Sequence, residues 1–377
     1  MLDVLVVGGG VIGSSIAYHL ARSGARVRVY EQAAPAAAPS ASWASAGGVR
    51  QQGRDPREWP LTLEAAHRWP LLDDELAAPT GFVQGGHLHL VETEPDLAAL
   101  ELRVQRERQA GMSISLLEPN ALYQVAPAIK GGIVGAAFTR EDGQADPRQT
   151  TAAFAAAAQR QGAEYFNQTR VDGLVSSDGR FRGISVRAET VTADAVVLAT
   201  GVWTNALTMP LGCEVPISVR APQMLLTTPG TPRLAPTVTA VNRVLSLKQL
   251  PSGQYFIGGG WPTDVVESES GLACQVRPDS VAGSWAVATA IVPSVADQRV
   301  DRQWGGLEAE SVDGVPFIGP APGLEGAFLA VGFSGHGFQL SPAVGRAVAD
   351  LVGGARVPEL EPVSTERIAE GSSWRRP

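Results

Sequence analysis

The chain has 377 residues, of which 18% are charged; its formal net charge is −8, and no patch gathers Lys and Arg. That length buries a large core and suits two domains or one large α/β domain, and the acidic balance without a basic patch excludes a nucleic-acid or anionic-membrane surface. No apolar run reaches spanning length, Met1 leads straight into a strand without a signal peptide, and Cys213 and Cys274 match no metal or redox spacing, so a soluble cytoplasmic protein with buried free thiols and no metal site is expected.

Residues 3–7, DVLVV, have the continuous apolar character of a buried parallel strand. A Gly-rich turn then opens SSIAYHLARSG, where Ile16, Ala17 and Leu20 share one helical face and Gly24 marks the stop. RVRVY (26–30) predicts a second strand ending at Glu31, which completes a β-α-β unit. Residues 33–42 carry two prolines and no periodicity, and read as loop. GHLHLVE (86–92) alternates as a half-buried antiparallel strand does, and Thr93 caps a helix carrying Leu97, Leu100 and Val104 that Gly111 ends. Asp146 caps a further helix, with Pro147 in its first turn and Gly162 at its close. AEYFNQTRV and AVVLATG (195–201) return to short parallel-type strands, and SLKQLPSGQYFIGGG predicts a hairpin turning at Pro251-Ser252-Gly253. Near the end, GFSGHGFQLSP runs from a second Gly-rich loop into a helix predicted to start at Ser341-Pro342.

Gly8, Gly10 and Gly13 fit G-x-G-x-x-G between a strand and a helix that begins with Val11 and Ile12. The first glycine permits the turn, the second lets a pyrophosphate approach the backbone, and the third brings helix and strand together. The helix start offers free N–H groups to phosphates. Glu31 follows eighteen residues after Gly13, beside Gln32, where a carboxylate can accept hydrogen bonds from a ribose diol. The motif predicts a dinucleotide without separating NAD from FAD. The second loop suits a flat ring, because Gly332, Gly335 and Gly337 let backbone pass close to it.

Taken together, VVGGGVIGSSIAYHLARSGARVRVYEQ, SWASAGGVRQQ, DGQADPRQ, AVVLATGVWTNAL, SGQYFIGGG, WGGLEAESVDGVPFIGP and GFSGHGFQLSPAVG resemble, in order and over nearly the whole chain, the D-amino-acid oxidase-like flavoproteins. The branch resembled is that of glycine oxidase, the sarcosine oxidase β-subunit, and proline or hydroxyproline dehydrogenase. The resemblance implies an α/β (α+β) fold with a Rossmann-like FAD domain built from three discontinuous segments, 1–58, 141–215 and 301–370. It also implies a substrate domain with a large mixed or antiparallel sheet, from 59–140 and 216–300, and a tail at 371–377. Carried over by position, Gly8, Gly10, Val11, Ile12, Gly13, Glu31 and Gln32 would hold the ADP half. Ser42 and the loop through Ala46, Gly47 and Gly48 would follow the pyrophosphate and ring, and Val171, ending the strand after the central helix, would touch adenine. Ala199, Thr200 and Gly201 would line the nucleotide, with Trp203 either nearby or simply packed. Gly306, Gly335, His336, Gly337, Phe338 and Gln339 would border the flavin.

The resemblance also exposes departures. Glycine oxidase-type members carry a carboxylate-binding arginine where this chain has Glu308, so Arg50 either replaces it or pairs with an acid such as Asp55. The positions that link flavin covalently in relatives hold no Cys or His, which implies non-covalent FAD. No lysine lies in GQYFIGG, Lys248 stands a few residues upstream, and Gln339 replaces a lysine of the oxidases. A dehydrogenase with slow oxygen reactivity is therefore expected. Arg50, His336 and Gln339 are the catalytic candidates, although His336 also reads as a loop histidine satisfied by backbone. The activity implied is oxidation of the C–N bond of an amino acid or secondary amine, with hydride passing to flavin N5 and the imine hydrolysed. The electron acceptor would be oxygen, a quinone or a partner subunit, with homo- or hetero-oligomers open. Alternatives are the β-subunit of a multisubunit dehydrogenase and a non-catalytic assembly factor.

Overall fold

In the computed structural model, which describes residues 1–268 and 271–370, the apolar run at the start forms β1 (Asp3–Val7), all but its first residue fully buried. The tail expected at 371–377 lies outside the described residues. After β1 come α1 (Val11–Arg22), β2 (Arg26–Tyr30) and α2 (Trp59–Arg68). The alternating segment is β3 (His87–Val91), followed by α3 (Glu94–Gln109), whose cap Thr93 accepts a hydrogen bond from the Asp96 amide. Next are β4 (Ile114–Leu117), β5 (Gly135–Thr139) and α4 (Pro147–Arg160), with the Asp146 carboxylate accepting from Arg148 and Gln149 amides. The chain continues through β6 (Glu164–Phe166), β7 (Ala195–Leu198), β8 (Gln223–Thr227), β9 (Thr237–Ala240), β10 (Arg243–Gln249) and β11 (Tyr255–Gly258). A hairpin of β12 (Asp264–Ser268) and β13 (Gly271–Gln275) precedes α5 (Pro278–Ile291), β14 (Val300–Gly305), β15 (Phe317–Pro320), β16 (Ala327–Val331) and α6 (Gly337–Val352).

Two sheets organise this series. The first has the order β15-β16-β7-β1-β2-β6, parallel except for the β15–β16 pair. Its apolar strands are buried on both faces, as a parallel sheet requires, with α1, α4 and α6 packed on one side. The second is mixed, in the order β14-β8-β11-β10-β9-β3-β5-β4. There β3 pairs antiparallel with β5 but parallel with β9, so its expected antiparallel setting holds on one side only. Strand β14 pairs with β8 in this sheet and so straddles the division expected at 301. The unbroken ladder from Gly305 to Arg302 continues the second sheet past that point.

The second sheet is two-faced. Leu88, Leu90, Val238, Leu247 and Ile257 point into a core shared with Ile291 of α5. Their alternate neighbours His87, Thr237, Thr239, Ser246 and Lys248 line a cavity on the other side. Period-two alternation thus separates a dry core from a polar wall.

Two predicted boundaries move. Helix α6 begins at Gly337, ahead of Ser341-Pro342, so Pro342 lies inside it. Proline there cannot donate to the Phe338 carbonyl four residues back, and the Ser341 hydroxyl donates to that carbonyl at 2.8 Å instead. Val171 lies beyond β6, which ends at Phe166. The chain turns through left-handed Gln168 (φ 51°), and the Gln168 and Thr169 amides donate to the Ala33 and Glu31 carbonyls at 2.7 and 2.8 Å.

Candidate active site

A cavity of about 1600 Å³ runs between the two sheets, from the loop after β1 to the start of α6. At one end, Gly8 turns at φ +103°, which suits a residue without Cβ, and a Cβ there would lie 2.5 Å from the Ala199 carbonyl oxygen. A Cβ on Gly13 would lie 1.9 Å from the Gly8 oxygen, so α1 sits against the turn with no room for a side chain. No side chain of its own caps α1 at Gly10, and its first turn carries no acid. The Val11 amide meets the Ser42 hydroxyl at 2.9 Å across the loop. Glu31 accepts from the Gly9 amide at 2.7 Å and the Ala33 amide at 2.9 Å, which holds its carboxylate in place at the cavity edge. A Gly-lined helix start with a fixed carboxylate fits the pyrophosphate and ribose of an extended dinucleotide.

Most residues expected to hold the cofactor line this one cavity: Gly8, Gly10, Val11, Ile12, Glu31, Gln32, Ser42, Ala46, Gly47, Gly48, Val171, Ala199, Thr200, Gly201, Trp203, Gly306, Gly335, His336, Gly337 and Phe338. Gly13 does not, because its place is the contact of α1 with the turn. Gln339 is a correction. It is buried, it does not line the cavity, and its side-chain amide donates to the Thr62 carbonyl of α2 at 3.1 Å. The helix starts earlier than the sequence suggests, and this rotates residue 339 toward α2.

At the other end of the cavity stand charged groups that sequence reasoning only partly found. Arg50 lines the cavity and forms no ion pair with a described residue; the acid weighed as its partner, Asp55, is paired with Arg57 at 2.9 Å. Arg54 lines it too, is 7% exposed, and has a buried Nη1 without a hydrogen-bond partner. Its Nε donates to the Arg50 backbone carbonyl at 3.3 Å, and burial first, then the Arg54 charge, hold the Arg50 pKa down to about 9. Glu58, wholly buried ahead of α2, lies 3.0 Å from His336 Nδ1. The carboxylate can only accept, so Nδ1 carries the proton and Nε2 remains an acceptor. Burial first, then the Arg54 charge, hold the His336 pKa down to about 4, so the ring is neutral at neutral pH. Asp142 accepts from the Gln51 amide and side chain at 3.0 Å each, and burial pushes its carboxyl up to about 7.

Arg54 was visible as the second arginine of RQQGR, four residues after Arg50. Glu58 gave no signal, because nothing in DPREWP separates a buried acid from a surface one. Lys248, a few residues upstream of GQYFIGG, faces the cavity: it lies opposite Phe256 on that face, its Nζ 5.2 Å from that ring's centre. Glu308, at the usual arginine position, packs against Gly335, and burial raises its carboxyl pKa. His87 is satisfied by the Thr237 and Thr239 hydroxyls at 2.7 and 2.9 Å, and the described residues contain no metal-binding cluster. Cys213 is buried, whereas Cys274 is half-buried at the cavity wall; both are free thiols. Among the described residues no helix is long and apolar enough to cross a membrane.

Known proteins share this architecture. The glycine oxidase of Bacillus licheniformis is 29% identical over 97% of this chain and 95% of its own length. The sarcosine oxidase β-subunit of an Arthrobacter species is 26% identical over 98% and 91%. The crystal structure of L-proline dehydrogenase from P. horikoshii superposes with a TM-score of 0.89 at 26% identity, covering 98% of both chains. Residues 3–351 match the family model for FAD-dependent oxidoreductases, DAO, and the chain belongs to that family, with FAD as its cofactor.

Proposed function

We propose that this protein oxidises the C–N bond of an amino acid or secondary amine. The observation that carries the reading is the Glu58–His336 pair set beside two unpaired guanidiniums in the cavity that continues from the dinucleotide loop. Bound FAD would accept a hydride from the carbon next to nitrogen, and water would hydrolyse the resulting imine. Gly8, Gly10, Val11, Ile12 and Glu31 would hold its ADP half, and the Gly335–Phe338 loop at the positive end of α6 would border its ring.

The side chains of this protein then position the substrate. An arginine fork takes the carboxylate. Neutral His336 accepts an amine N–H at Nε2, its tautomer fixed by Glu58. The apolar ring of Phe338 and the backbone of the loop exclude water. The names of the glycine oxidase and sarcosine oxidase β-subunit relatives support an amine substrate, and the latter supports a partner subunit as one electron acceptor. The test is anaerobic mixing of the FAD-loaded protein with glycine, sarcosine, L- and D-proline and dicarboxylic amines. Bleaching of the flavin absorbance by any of them is expected, and bleaching by none would defeat the reading.

Acid denaturation should release all flavin into the supernatant, since neither the 42–48 loop nor the Gly305-Gly306 segment offers a linking Cys or His. Flavin that stays with the precipitate would contradict this. Glu58→Gln should keep FAD while lowering kcat/KM about 10- to 100-fold, the worth of a charge-assisted hydrogen bond. Glu58 favours the imidazolium, so its loss lowers the His336 pKa, and the acid limb near pH 4 moves to lower pH. Arg54 disfavours the imidazolium, so Arg54→Met should move the same limb upward. Limbs that stay fixed in both variants would remove His336 from the site.

A further inference from the structure

We propose that the substrate is an amine bearing two carboxylates, an inference that rests on the amine-oxidation reading above. Arg50 and Arg54 both line the cavity, close enough for the Arg54 charge to act on Arg50, and the acids around them are partly engaged. Asp142 Oδ1 takes both Gln51 donors, Glu58 takes His336, and Glu107 Oε1 accepts from the Gly53 amide while facing Arg103 at 3.7 Å; the second oxygens of Asp142 and Glu107 have no hydrogen-bond partner, but neither acid lines the cavity. Burial also raises the carboxyl pKa of Asp142 and of Glu107, which weakens both as counterions. Arg54 nevertheless keeps a buried Nη1 with no partner. Glu58 and Asp142 attract the Arg54 charge from within the protein, yet a buried guanidinium N–H without an acceptor is costly, so this wall favours an incoming anion.

Charge decides how many acid groups that anion carries. Lys248 adds positive charge to the cavity below pH 7, since burial holds its pKa down to about 7; Arg170 and Arg220 line the cavity as well, Arg220 facing Glu310 at 3.6 Å. The histidines nearby, His87 and His336, are held neutral by burial. The acids that line the cavity sit elsewhere: Glu31 and Asp172 toward the dinucleotide loop, Glu308 against Gly335, and Glu267 on β12. A zwitterionic amino acid with one carboxylate brings no net charge and sets its ammonium beside two guanidiniums. A second carboxylate gives each arginine a fork to fill and makes the ligand a net anion.

The experiment pairs ligands that differ only in the second acid group: iminodiacetate against sarcosine, and N-methylaspartate against N-methylalanine, the second pair as both enantiomers. Malonate and succinate are compared with acetate and propionate as unreactive probes, read by the flavin visible spectrum and by calorimetry. Each dicarboxylate should bind, and each dicarboxylic amine should give a kcat/KM, about 10- to 100-fold above its partner, the worth of one charged hydrogen-bonded contact. Arg54→Met should bring these ratios close to one, while Arg54→Lys retains part of the difference. If either variant loses FAD, the wild-type ratios decide alone. Equal binding and turnover of mono- and dicarboxylic members would overturn the proposal while leaving amine oxidation intact. Failure of every amine to reduce the flavin would overturn the amine reading, and succinate binding would still report on the paired arginines.

Discussion

Gly13→Val should yield a colourless protein that takes up no FAD when titrated with it. A Cβ at this position would lie 1.9 Å from the Gly8 carbonyl oxygen and 3.3 Å from the Ala199 Cβ, so the first clash is with backbone and cannot be relieved by a rotamer. Helix α1 would have to withdraw from the turn, but it has no free space behind it. Gly345 of α6 is already so close that a Cβ there would meet the Ser15 hydroxyl of α1 at 2.0 Å, and that hydroxyl donates to the Ser341 carbonyl at 2.8 Å. Overpacking of this kind costs about 1–3 kcal/mol or more, and the movement misplaces the amides that face the phosphates. Gly10→Ala separates the two roles, since within the protein its Cβ would meet only the rotatable Ser42 side chain, at 3.0 Å from the hydroxyl, so FAD lost there with the fold intact reports on the pyrophosphate's approach to the backbone. Gly173→Ala meets nothing within 4 Å and serves as the neutral control. Flavin absorbance per chain, with circular dichroism to follow the fold, measures the outcome. A Gly13→Val protein with normal FAD content would remove the third glycine from the dinucleotide motif.

The parts of this molecule that were readable in advance are those set by local rules. The strand–Gly turn–helix–strand opening, the Thr93 and Asp146 caps and the hairpin between Arg243–Gln249 and Tyr255–Gly258 depend on short-range periodicity and capping chemistry. Ser341-Pro342 predicts a start of α6 later than Gly337, because Ser-Pro is a strong helix-start signal. Here the serine instead repairs the hydrogen bond its proline neighbour removes, which only the three-dimensional course of the chain reveals. Glu58 and Arg54 illustrate a second limit. A buried acid and a buried cation look like surface residues in a single sequence, since burial is decided by elements hundreds of residues away, such as the loop that carries His336. Lys248 shows a third. It lies outside GQYFIGG, so whether it reaches the cavity depends on how the hairpin bends, and cross-strand pairing puts it opposite Phe256 of that strand.

That lysine leads to the second large effect. Reoxidation of the substrate-reduced protein by oxygen should slow as pH rises through about 7, and Lys248→Met should lower it about 100-fold at pH 6 and abolish the pH dependence. Burial is the main influence on the Lys248 pKa, holding it down to about 7, with the Asp146 charge opposing. The ammonium is therefore present in the folded protein below pH 7 and lost above it, whereas an exposed lysine would keep its charge to beyond pH 10. Electron transfer to oxygen builds negative charge on a small, poorly solvated molecule, and a fixed cation in a low-dielectric cavity stabilises that charge far more than water would. A loss of about 2.7 kcal/mol corresponds to the 100-fold effect, within the range for removing one such stabilising group. Above pH 7 the protein should then behave as the dehydrogenase expected from its lysine-free strand, reacting more readily with an artificial dye than with oxygen. Dye reduction should be much less sensitive to the lysine, because dyes accept electrons without concentrating charge beside Lys248. Stopped-flow reoxidation in air-saturated buffer, from pH 6 to pH 9 with and without dye, separates the two. An oxygen rate that is flat across this range in the wild-type protein, or unchanged in Lys248→Met, would show that the lysine does not act on oxygen.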